Sequence, residues 1–168
     1  MKESVNQPEI DNARIGYQVA VSLWIYEGEL LWSKFNTLIV ANSIILATTS
    51  LTMSTSNCLK VFSIGMPIVG IILCGLWFLL AKRGFSNHRY WILSARELEE
   101  NFLRNSVKTI SRGGDFRDGK KIEIKIGNKP KQLQMSCYAR LLRDEWISYF
   151  FIGVFLAIYV AILLVNIM

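Results

Sequence analysis

Five lysines that lie within twelve positions of one another are the residues of this sequence best suited to chemistry. They are Lys120, Lys121, Lys125, Lys129 and Lys131. Ammonium groups at this density attract anions, and lysines beside a membrane attract acidic lipid headgroups by roughly 1 kcal/mol each. The cluster therefore predicts contact with membrane lipid, especially anionic lipid, or with a cytoplasmic protein partner. Nucleic acid is a less favoured partner, because no aromatic stacking platform accompanies the charges.

Residues for catalysis or metal binding are sparse. His88 is the only histidine, and the sequence places no assured carboxylate or nucleophile beside it for general acid–base chemistry. The three cysteines, Cys58, Cys74 and Cys137, do not have the spacing of zinc ligands. Phosphate-loop and His-Glu-x-x-His motifs are absent from the sequence. We therefore predict a protein that is not an enzyme and that has no cofactor and no metal site.

Three uncharged apolar stretches would form the elements that position the lysines. They are residues 35–53, 61–80 and 146–168. Each is about twenty residues long, which is what a helix rising ~1.5 Å per residue needs to cross ~30 Å of hydrocarbon. A soluble helical core is the rejected alternative, because no soluble fold of this length needs three such runs. The predicted fold class is a mainly α membrane protein with three transmembrane helices.

The distribution of positive charge predicts the orientation of these helices. Fifteen of the nineteen Lys and Arg residues, but only eight acidic ones, lie in residues 82–145. Because loops rich in Lys and Arg stay in the cytoplasm, this basic segment should be cytoplasmic. Four parts follow in order: a cytoplasmic helix at 1–34, a two-span hairpin at 35–81 with an external turn at 54–60, the segment 82–145, and a third span at 146–168. The N-terminus is then inside and the C-terminus outside.

The cytoplasmic segment is predicted to be a small α+β portion. Residues 121–126 alternate Lys or Glu with Ile, which is typical of a strand. Residues 107–111 are the expected partner strand of a β-hairpin, with glycines 113, 114 and 119 as turn material. After a loop at 128–135, a last helix should begin near Ser136 and continue into the third span.

Polar and small residues within the spans predict helix packing and a homo-oligomer. Asn42 lies near mid-bilayer, where an unpaired amide is costly, so it should face another helix; lining a water-filled path is the alternative. Small residues at four-residue spacing allow helices to approach closely. They are Gly70 and Cys74 in the second span, and Gly153, Ala157 and Ala161 in the third. Three spans are too few to enclose a transport path, which also favours assembly.

Charged residues flank the cytoplasmic ends of the first two spans. They are Glu27, Glu29, Lys34, Lys82 and Arg83. The two ends should be close in a helical hairpin, so the charges are expected to form a cluster at the membrane surface. Membrane anchoring with little energetic effect is the favoured interpretation. A ring of charges at a pore mouth is the alternative.

Several blocks of the sequence resemble the RipA family of small bacterial membrane proteins. The clearest block is Trp-Ile-Tyr-Glu-Gly-Glu-Leu-Leu-Trp-Ser-Lys-Phe-Asn at 24–36, which runs into Ala-Asn-Ser at 41–43. The likeness continues through residues 65–70, 76–77, 90–91 and 96–99. The resemblance implies an octameric protein of the bacterial inner membrane, and the family's name refers to proliferation inside host cells. It implies no active-site residues.

Two hypotheses of different classes follow for the function. The first is a non-enzymatic, homo-oligomeric membrane scaffold or sensor that uses its basic cytoplasmic face to engage a partner or anionic lipid. By the resemblance, such an assembly would support bacterial proliferation inside host cells. The second is an oligomeric pore, in which several copies enclose a conduit near Asn42 and the polar first span.

Overall fold

A computed structural model describes residues 7–53, 60–103, 107–127, 129–141 and 143–167. The elements in chain order are α1 (Gln7–Met53), α2 (Lys60–Leu98), a π-helical turn (Glu99–Leu103), α3 (Thr109–Arg117), β1 (Ile122–Ile126), β2 (Lys129–Leu133), α4 (Cys137–Leu141) and α5 (Asp144–Ile167). The chain is therefore mostly helical, with one small antiparallel sheet. The predicted external turn, apart from Lys60, lies outside the described residues, as does Cys58.

Three helices, α1, α2 and α5, are long and apolar enough to cross a membrane, which agrees with the predicted number of candidate spans. The helix α1 has 47 residues and α2 has 39, so both are much longer than the roughly twenty residues that a bilayer requires. Helix α1 begins well before its uncharged stretch, and α2 continues well beyond its own. Pro67 lies inside α2 without ending it.

Contacts divide the chain into two compact units. The span unit consists of residues 29–85 and 144–168, and the basic unit consists of residues 1–28 and 86–143. The core of the span unit contains Phe35, Cys74, Trp77, Ala81, Ile152 and Tyr159. The ring of Phe35 meets Trp77 edge-on at 5.3 Å between centroids and meets Phe151 at 6.0 Å. Such pairs add about 0.5–1.5 kcal/mol beyond the area they bury, so aromatic packing holds this unit together.

The basic unit contains the predicted β-hairpin, but with a different second strand. Strand β1 pairs with β2 in antiparallel register, from Ile122 opposite Leu133 to Ile126 opposite Lys129. The predicted partner, residues 107–111, instead leads into helix α3, which also includes the glycines at 113 and 114. A two-residue connection that begins with Gly127, at φ +60°, closes the hairpin locally. Local closure costs less chain entropy than pairing across a longer loop.

The prediction of one helix from Ser136 into the third span is wrong. Ser136 does accept a hydrogen bond from the backbone N–H of Ala139 at 3.4 Å, as a helix-capping residue would. However, α4 ends at Leu141 and a new helix, α5, begins at Asp144. Asp144 and Glu145 place negative charge in the first turn of α5, where the helix dipole favours it.

Candidate functional site

Asn42 lies at the centre of a polar cluster that joins the three apolar helices of the span unit. The Tyr159 hydroxyl on α5 is 2.9 Å from the backbone oxygen of Asn42 and 3.2 Å from its side-chain Oδ1. Oδ1 also accepts a weak hydrogen bond from Cys74 Sγ on α2 at 3.6 Å. The Asn42 Nδ2 donates to the Leu38 carbonyl of its own helix at 2.8 Å. We call Asn42, Cys74 and Tyr159 the Asn42 cluster.

The Asn42 cluster is sealed from its surroundings. Asn42 and Tyr159 are 0% exposed and Cys74 is 1% exposed. The close approach depends on Gly70, because a Cβ at that position would overlap the Tyr159 ring. The amide and the phenol therefore satisfy each other inside one subunit, as buried polar groups in a membrane must. The arrangement can position three helices, and it exposes no group to a substrate.

Substitutions in the Asn42 cluster should each lower the stability of the span unit by a small amount, and the amounts should differ. Tyr159→Phe removes both hydroxyl contacts, whereas Asn42→Leu leaves the backbone oxygen that the hydroxyl also reaches. Membrane hydrogen bonds of this kind contribute about 0.6–2 kcal/mol, so we expect Tyr159→Phe to cost more than Asn42→Leu, with about 1 kcal/mol for the latter. Thermal unfolding of the purified oligomer in detergent measures both.

The control for this pair is Asn36→Leu, which replaces an exposed amide on the same helix. It should leave the unfolding temperature near that of the wild type. Equal losses for Asn36→Leu and Asn42→Leu, or a fully stable Tyr159→Phe protein, would contradict a stabilising role for the cluster.

The small residues predicted for helix contacts fall into two groups. Gly70 and Cys74 face Tyr159 within the subunit. On α5, in contrast, Gly153, Ala157 and Ala161 are exposed, and a Cβ on Gly153 would meet no atom within 4 Å. These three residues define the small face of α5. It is open in the subunit, so space remains there for another helix.

The charges at the membrane mouth lie in both compact units. Glu29, Lys34, Lys82 and Arg83 belong to the span unit, and Glu27 belongs to the basic unit. All but Glu27, which is half-buried, have exposed side chains. Exposed charges of this kind contribute little to stability and remain accessible to lipid headgroups or to solvent ions.

Lys120 of the lysine cluster already has an anionic partner. Its ammonium group donates a hydrogen bond to Asp115 Oδ1 at 2.8 Å. This hydrogen bond lowers the pKa of the Asp115 carboxyl group and raises the pKa of Lys120. Both side chains are exposed, so the pair adds little to stability. It does tie the lysine to the end of α3.

The remaining lysines lie on or beside the hairpin. Lys121, Lys129 and Lys131 are exposed, and the Lys125 side chain lies outside what the structure describes. Because residues directly opposite in a hairpin share a face, Lys131 projects on the same side as Ile124. Alternation along β2 puts Lys129 on that side too. This face of the hairpin combines ammonium groups with aliphatic side chains, which suits the interface of an anionic membrane.

Glu99 is a site that sequence reasoning missed. Its side chain is 1% exposed and lies in the π-helical turn after α2. The two carboxylate oxygens accept hydrogen bonds from the backbone N–H groups of Ile110 at 3.2 Å and Ser111 at 2.6 Å, and from the Ser111 hydroxyl at 2.9 Å. Lys108, at the cap position of α3, provides no side-chain cap, so the carboxylate of Glu99 replaces one. No local motif signals this contact, because the partners are eleven and twelve residues apart.

Three apolar helices around a sealed polar cluster, with a basic α+β unit, are the architecture of a multi-span helical membrane protein. Within the part of the chain that the structure describes, no group of three His, Cys, Asp or Glu residues is placed to hold a metal ion. The chain belongs to the octameric membrane protein family (8xMP), whose model matches residues 16–165. Comparisons with curated proteins and with solved structures gave no match.

The description of this family implies self-assembly into octamers in a membrane. It agrees with the prediction of a homo-oligomer and with the octamer that the sequence resemblance implied. The narrower resemblance to the RipA family stays a prediction.

Proposed function

We propose that this chain forms a non-enzymatic octameric scaffold or sensor in the bacterial inner membrane. The observation that carries the proposal is the sealed Asn42 cluster. It satisfies the amide nearest mid-bilayer inside one subunit, so this amide is not presented to a water-filled path. A subunit of this kind is suited to packing against copies of itself and to presenting its basic unit on one side of the membrane.

The orientation in this proposal has the N-terminus and the basic unit in the cytoplasm and the C-terminus outside. It rests on the fifteen Lys and Arg residues between the second and third spans. The exposed Lys129 and Lys131 then face the cytoplasm, where anionic lipid headgroups or an acidic protein surface would attract them. Assembly multiplies this charge, because every subunit contributes one hairpin.

The small face of α5 is the proposed contact between subunits. Gly153→Ile would add a branched side chain where a neighbouring helix must approach closely, so the octamer should dissociate or lose subunits. Native mass spectrometry in mild detergent counts the subunits directly. The matched control is Gly75→Ile on α2, where an added Cβ also meets no atom of the same subunit. An intact Gly153→Ile octamer would exclude this face as the contact.

A pore is the second candidate function, and one feature of α1 favours it. Asn36, Ser43 and Ser50 are exposed and recur at seven-residue spacing, so they follow one stripe of the helix. Eight such stripes facing an axis would surround a conduit with amide and hydroxyl groups.

Electrical recording from the purified protein in planar bilayers distinguishes the two functions. The scaffold proposal expects no current above that of the bare bilayer over a range of voltage and pH. Stepwise currents that change in amplitude in Ser43→Leu protein would instead establish the pore. A channel of known conductance, reconstituted in the same way, verifies that the recording would detect current.

A further inference from the structure

An apolar groove runs along the span unit near the charged ends of the first two spans. Leu31, Trp32, Leu38, Leu80 and Phe85 contribute to its walls, with Trp77 at its base. The space within it that water can occupy is about 10 Å³, roughly one water molecule, so the groove is shallow and a ligand would lie along its open side.

One charged residue lines this groove among the residues that the structure describes. It is Lys34 on α1, which is exposed. Ser148 on α5 also lines the groove, and its hydroxyl donates a hydrogen bond to the backbone oxygen of Asp144 at 3.0 Å. The groove thus has apolar walls with one cationic side chain at its edge.

We propose that this groove binds one phospholipid per subunit, with an acyl chain along the apolar walls and the phosphate at Lys34. Its walls are parts of three helices suited to crossing a membrane, so lipid rather than water is the medium that would fill it. A lysine at the end of a span lies at the depth of the lipid phosphate groups. Trp32, which is 41% exposed, is of the residue type enriched at this headgroup level.

This proposal rests on insertion of the spans in a membrane and on neither the scaffold nor the pore. The experiment uses the full-length oligomer, purified in mild detergent and examined by native mass spectrometry. Wild-type protein should retain phospholipid at up to one molecule per subunit. After delipidation, added phosphatidylglycerol or phosphatidylethanolamine should restore that number. The two lipids distinguish an acidic from a zwitterionic headgroup.

Leu80→Trp provides the steric test. Leu80 lines the groove, whereas the adjacent Leu79 does not, and both are exposed, so neither replacement disturbs the core. An indole in the groove would displace about two methylene groups of the chain, which weakens lipid binding roughly tenfold. Leu79→Trp is the matched control and should bind lipid as the wild type does.

Lys34→Gln provides the electrostatic test, with Lys108→Gln, an exposed lysine before α3 that lies outside the lysine cluster, as its control. The first change should weaken rebinding of phospholipid, and the second should leave it unchanged. Equal lipid retention by Leu80→Trp and Leu79→Trp would overturn the proposal. The proposal would also be overturned if the wild-type protein carried no lipid and the octamer of the Leu80→Trp variant dissociated. The groove would then be a contact between subunits.

Discussion

Gly70→Leu is expected to destabilise the span unit by about 3 kcal/mol, the upper part of the range for overpacking a filled interior. Even one Cβ on Gly70 overlaps three atoms of the Tyr159 ring, and that ring cannot turn away without leaving Asn42. Helix α5 would have to move from α2, which opens the Asn42 cluster. Thermal unfolding of the detergent-solubilised oligomer should show a large fall in midpoint temperature.

Gly65→Leu is the matched control, because a Cβ on Gly65 of the same helix meets no atom within 4 Å. It isolates the steric effect from the change in helix propensity. A second test combines Gly70→Leu with Tyr159→Ala, which removes the obstructing ring. The double variant should lose less stability than the sum of the two single losses, because the residues are in contact. Strict additivity would show that the overlap is not the cause.

Glu99→Ala is expected to release helix α3 from the turn that follows α2. The substitution leaves the N–H groups of Ile110 and Ser111 without their acceptor, and bonds to a charged group contribute about 1.5–3 kcal/mol each. A loss of about 3 kcal/mol in local stability corresponds to amide exchange roughly a hundredfold faster. Hydrogen–deuterium exchange of the peptide that covers residues 107–117 measures it.

Glu97→Ala controls for the loss of a negative charge, since Glu97 is exposed on the preceding helical turn. Its exchange pattern should match that of the wild type. Amide exchange in Glu99→Gln protein should be slower than in Glu99→Ala protein and faster than in Glu97→Ala protein. The Gln amide keeps one oxygen acceptor and replaces the other with a donor. Unchanged exchange in Glu99→Ala protein would mean that α3 is stabilised by other contacts.

The number of spanning helices could be predicted because it depends on a local property. An uncharged run of about twenty residues is visible in the sequence whatever the rest of the chain does. The strand at 122–126 was visible for the same reason, through its alternation of Ile with charged residues. Its partner was mispredicted because a loop was expected at 128–135, where β2 lies. This strand contains Pro130, and proline is tolerated on an edge strand.

The contacts that define the sites could not be predicted so well, because they join distant residues. Asn42 could be singled out from the sequence because an unpaired amide is costly in a membrane. Its hydrogen bond to Tyr159, however, joins residues 117 positions apart. Glu99 resembles its neighbours Glu97 and Glu100 in sequence, and only the fold buries it. The groove at Lys34 depends on three helices at once, so no single segment carries its signature.

The hydrogen bonds made by hydroxyl groups on α1 decide which sign of charge these groups would stabilise. Ser43 and Ser50, which lie on one side of the helix, each donate their proton to a carbonyl of the preceding turn, at 2.9 and 3.0 Å. A hydroxyl whose proton is engaged in this way has only oxygen lone pairs left to offer outward. Wherever this side of the helix meets water or a neighbouring subunit, it presents acceptors. Such a surface would stabilise cations and N–H donors and would give little stabilisation to anions.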